Sequence, residues 1–128
     1  YGLELYANCV AASRRFLKEH PDAVKGFLRA TVKGMKDMAR DPELAVKAAI
    51  AYEPLLNPDI ERDRLKIAMD CCILTSNVRK SGFGDINQDR LRKIIPLITD
   101  AYKLPKELKA EEVFDPAYLP SAQDRMIN

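Results

Sequence analysis

From residue 20 onward, apolar positions recur every three or four residues, and that spacing predicts helices. Val24, Phe27, Leu28, Thr31, Met35 and Met38 form one stripe, on a helix expected from Pro21 to about Ala39. Leu44, Ala45, Ala48 and Ala49 mark the inner face of a second helix, from Pro42 to about Tyr52, which Pro54 terminates. Ile60, Leu65, Ala68, Met69 and Cys72 mark a third, from Pro58 to about Leu74. The three starts His20-Pro21-Asp22, Asp41-Pro42-Glu43 and Asn57-Pro58-Asp59 share one grammar. Proline takes the first helical position, where no hydrogen bond is lost, and an acid follows in the first turn. Leu91, Ile94, Ile95, Ile98, Ala101 and Tyr102 carry a last long helix capped by Asn87, with Pro96 expected to kink it. Upstream, Ser13 can cap a short turn holding Phe16 and Leu17.

The chain's opening breaks this pattern. YGLELYANCVAAS contains LELYANCVAA, which reads as a β-strand over residues 1–12 with a polar residue, Asn8, inside it. A lone strand leaves both rows of backbone groups unpaired, and no later stretch reads as its partner. The expectation is that its sheet lies in sequence preceding Tyr1; pairing between copies of the chain, and hence self-association, is the other solution. TSNVRKSGFGDI, residues 75–86, reads as a loop. Residues 104–128 hold three of the eight prolines and read as an extended tail, docked through Val113, Phe114, Tyr118 and Leu119. The organisation is thus one segment: 1–12 strand, 13–103 helical part, 104–128 docking tail.

Composition narrows the functions. With 47% hydrophobic and 31% charged residues the 128-residue chain suits one folded body, not a disordered segment. No apolar run approaches the roughly 18 residues needed to span a bilayer. A net charge of +2 gives no global field for nucleic acid. Cys9, Cys71 and Cys72 form neither a disulfide framework nor a CxxC site. His20, the sole histidine, sits in a polar joint without a metal-ligand cluster. SGFGD lacks the lysine of a phosphate-binding loop, and no GxSxG elbow is present. Lys25, Arg29, Lys33, Lys36 and Arg40 make one basic stripe, read first as a solvated face and second as a surface for docking an acidic partner or for weak contact with nucleic acid. Asn8 stands out, because an amide in an apolar strand must bond its neighbours or point into a ligand cleft.

The order of segments carries a resemblance. YGLELYANCVAAS, FLKEHPDAVKGFLRATVKGMKDMARDPELAVKAAI, GDINQDRLRKIIPLITDAYKL and EEVFDPAYLP together resemble the C-terminal part of a substrate-binding protein. The family serves ABC importers for nitrate, taurine, sulfonates and thiamine-pyrimidine precursors. The resemblance implies an α/β fold of the periplasmic-binding-protein type II, two lobes around a ligand cleft. This chain would be a mostly α C-terminal fragment of it: one strand, four to five helices and an extended tail. Tyr6, Ala7 and Asn8 match the family's Tyr-Gly-Asn/Asp near the cleft, which makes Tyr6 and Asn8 the implied ligand-binding residues; Ala7 departs from the usual glycine. A small polar solute and a membrane permease are the implied partners, with no nucleic acid, no cofactor, no metal and no catalytic residue, and an exported, periplasmic location. The alternatives are a helical interaction module, or a pyrimidine-synthesising enzyme of the same fold.

Overall fold

Proline, Asx and hydroxyl residues start the helices where their chemistry requires. A computed structural model of the protein describes residues 5, 6, 8–106 and 108–127. Helix α1 is Arg14–Glu19, α2 Pro21–Arg40, α3 Pro42–Tyr52 and α4 Pro58–Ala68. Ser13 Oγ accepts from the Phe16 N–H at 3.1 Å, and Asp41 Oδ1 from the Leu44 N–H at 3.1 Å. Asn57 Oδ1 accepts from the N–H groups of Asp59 and Ile60 at 2.9 and 3.2 Å. Each bond satisfies a donor that the first helical turn leaves open. Helix α4 passes into one π-helical stretch, Met69–Ile73, where the Leu74 N–H donates to Met69 O at 2.9 Å.

Two compact units divide the chain: residues 1–24 with 86–118, and residues 25–85 with 119–128. In the first, α6 (Gln88–Ala101) packs on the short α7 (Ala110–Val113). Leu91, Ile95 and Ala110 form its core, with Ile86 and Phe114 against them. In the second, α3 packs on α4, and Val32, Val46, Met69 and Phe83 are buried.

Several expectations change. Among the described residues there is no strand; residues 8–13 run without regular structure, while residues 1–4 and 7 of the expected strand lie outside the described residues. The physical reason is the one already raised, since a strand exists only through a partner's backbone, and among the described residues no backbone ladder pairs with residues 8–13. The described elements contain no sheet, so the two-lobe α/β architecture stays an implication of the resemblance. Residues 75–86 are not all loop: Thr75 Oγ1 accepts from the Val78 N–H at 3.3 Å and starts α5, Ser76–Ser81. Nor is the tail extended, because it folds into α7, a 3₁₀ turn at Pro116–Tyr118 and α8, Ala122–Arg125. Of the expected docking residues, Phe114 joins the first core whereas Val113 stays half exposed. Phe27, Leu44, Ile60 and Cys72 face solvent, and Val32 and Val46 take the buried places instead. Periodicity identifies a stripe, but its centre depends on what packs against it.

Candidate ligand-contact segment

The two implied ligand residues lie just before α1, and their surroundings differ sharply. Helix α6 opens with Asn87 as N-cap, its Oδ1 accepting from the Arg90 N–H at 2.8 Å. The backbone N–H of Asn87 donates in turn to the phenol oxygen of Tyr6 at 2.8 Å. The Arg90 guanidinium lies 4.2 Å from the centroid of the Tyr6 ring, a cation–π distance. Its Nη2 also donates to the Leu5 carbonyl at 2.7 Å. Tyr6 is therefore gripped at its oxygen, its ring and the preceding carbonyl.

Asn8 is exposed, and among the described residues nothing bonds its amide. The internal satisfaction considered for a polar residue in a strand does not occur, and the amide is open to solvent. The structure so places Tyr6 in a built environment and Asn8 on a bare stretch two residues later. Ala7 lies outside the described residues.

Sequence reasoning did not single out Arg90, or the pairing of Asn87 with Tyr6. A signal was present. In the usual capping box a Glu or Gln at the third helical position accepts from the N-cap N–H. Here Arg90 occupies that position and can only donate. An Asn cap followed by Arg leaves one donor to be met from elsewhere, and Tyr6 meets it from 81 positions away.

Other sequence candidates resolve into structure. His20 ends α1, donating its backbone N–H to Phe16 O at 2.8 Å, with its ring 5.0 Å from that of Phe16. Within the basic stripe, Lys33 pairs with Asp37 at 2.6 Å, and Lys36 Nζ donates to Asp124 O at 3.0 Å. Its hydrogen bond to Lys33 holds the Asp37 carboxyl below the usual range. Cys9, Cys71 and Cys72 are exposed thiols, and the described residues hold no cluster of metal-ligating side chains. No described helix is long and apolar enough to cross a membrane. An open depression of about 270 Å³ beside α7 is bordered by Arg92, Ile95 and Lys109, with Arg92 3.9 Å from Glu111.

Against known proteins, residues 1–45 match the family model described as NMT1/THI5-like. This is the substrate-binding family that the sequence resembles, and the match covers the segment of Tyr6 and Asn8, α1, α2 and the opening of α3. No curated protein and no solved structure matches the chain.

Proposed function

We propose that the protein is the solute-binding component of an ABC importer. Its ligand is a small polar molecule of the sulfonate, nitrate or thiamine-pyrimidine-precursor class. The family match over residues 1–45 carries this reading, because that segment contains both implied ligand residues. The exposed Asn8 amide supports it as well: an amide that bonds nothing among the described residues can donate to and accept from a ligand. The activity is binding without chemistry. Two lobes close on the ligand, and the closed form delivers it to a membrane permease. Such a role places the protein outside the cytoplasm.

Titration calorimetry of the complete gene product with taurine, nitrate and a thiamine-pyrimidine precursor tests the reading. One of the three should bind with micromolar affinity or better, and failure of all three overturns it. Asn8→Ala should weaken that binding by about tenfold, as the loss of a ligand hydrogen bond predicts. The melting temperature should not change, since the side chain supports nothing in the fold.

A further inference from the structure

We propose that Asn87 and Arg90 are the positioning residues of the ligand segment, acting through Tyr6 as a latch at the start of α6. The inference rests on the ligand-binding reading of Tyr6 and Asn8. Its basis is the exchange of partners at one helix terminus. A helix N-cap has its own N–H to satisfy, and a glutamate at the third position normally does this locally. This chain has Arg90 there, so the Asn87 N–H is bonded by the Tyr6 phenol oxygen at 2.8 Å. The same arginine then lies over the phenol ring at 4.2 Å and donates to Leu5 O at 2.7 Å.

A cap that is ordinarily local has become a tie between two distant parts of the chain. The consequence is geometric. With phenol oxygen, ring and the Leu5 carbonyl all held, Leu5 and Tyr6 form a fixed anchor two residues before Asn8, although residues 8–13 have no regular structure of their own. Preorganisation of this kind raises affinity by removing ordering cost at the moment of binding. Arg90 and Asn87 need not touch the solute to control its binding.

Arg90→Glu separates the latch from the helix. A glutamate at the third position can accept the Asn87 N–H locally, so α6 keeps its cap while Tyr6 loses its partner and its cation. NMR of the complete gene product reads the Tyr6 ring and the Asn87 amide, and calorimetry with taurine, nitrate and a thiamine-pyrimidine precursor reads binding. In Arg90→Glu the melting temperature should stay within about 2 °C of the parent. The Tyr6 ring signals should move toward those of an unstructured tyrosine, and affinity for the probe that the parent binds should fall about tenfold. Arg90→Lys, which keeps a cation over the ring, should remain within about threefold of the parent.

Tyr6→Phe provides a second route that leaves α6 intact. Exchange of the Asn87 amide should accelerate about fivefold as its acceptor disappears. Unmoved Tyr6 signals in Arg90→Glu, or unchanged Asn87 exchange in Tyr6→Phe, would overturn the latch. Moved signals with unaltered affinity would overturn the positioning role. If the parent takes up none of the three probes, the ligand reading falls and the positioning role with it. The latch itself would still be visible in the Asn87 exchange, so the two failures are told apart.

Discussion

Arg125 shows how much one side chain can decide. It is a buried charged residue, 8% exposed, in the last short helix of the chain. Its Nη1 donates to the carbonyls of Ser81 at 3.1 Å and Phe83 at 3.2 Å, and its Nε to Pro120 O at 3.1 Å. The Phe83 N–H returns a bond to Arg125 O at 3.0 Å. Guanidinium suits this place because several rigidly spaced donors meet several carbonyls at once. Arg125→Ala leaves those carbonyls without their donor and should cost about 2–4 kcal/mol in urea unfolding. Arg125→Lys should fall between the two, because an ammonium cannot fork to three acceptors. Gly82 belongs to the same arrangement: its φ is +81°, and a Cβ there would lie 2.8 Å from the Arg125 backbone. None of this was visible in the sequence, where Arg125 is an ordinary basic residue in a polar tail. The caps were visible, because Ser13, Asp41, Asn57 and Asn87 act on donors within three residues of themselves.

Elements show the same division. Helix α7 was missed because AEEV has no apolar period, yet it is tied down by a short electrostatic network. Glu112 Oε2 accepts from the Lys109 N–H at 2.9 Å, and Oε1 pairs with Lys106 Nζ at 3.0 Å. The backbone bond first and the lysine second hold the Glu112 carboxyl below its ordinary 4.5. A carboxyl lowered on folding adds stability that is fully present above its unfolded value and lost as pH falls through the folded one. Glu112→Gln should therefore lower the melting temperature at pH 7, and by progressively less as pH falls below 4.5, read in parallel thermal melts. Helix α6 carries a separate penalty. Pro96 sits inside it, supplies no N–H, and leaves the Arg92 carbonyl without its usual donor. Pro96 is exposed, so Pro96→Ala should stabilise the protein, by about 1–3 kcal/mol in chemical unfolding. Helix α5 is different again. A six-residue helix offers too short a run for periodicity to register, so residues 75–86 read as a loop in the sequence.

At the scale of the molecule, the notable quantity is surface. The chain exposes 9940 Å², whereas two separate compact bodies of these chain lengths would expose about 8,300 Å². No large side chain among the described residues is fully buried, and Tyr52 and Leu55 are 92% and 93% exposed. Apolar groups left in water favour association. The 128-residue chain alone should therefore associate with rising concentration in sedimentation velocity. Tyr52→Ser combined with Leu55→Ser should weaken this without moving the melting temperature.

The sequence by itself determined where α1, α2, α3, α4 and α6 begin and that most of the chain is helical, because capping and proline chemistry operate within a single turn. It also carried the family resemblance, through residues whose order survives without any fold. Only the tertiary structure decided which face of each helix is covered, how the tail folds onto its surroundings, and what Tyr6 does. Those outcomes depend on groups brought together from far along the chain, and the Asn87 donor is the plainest case, its acceptor lying 81 positions away.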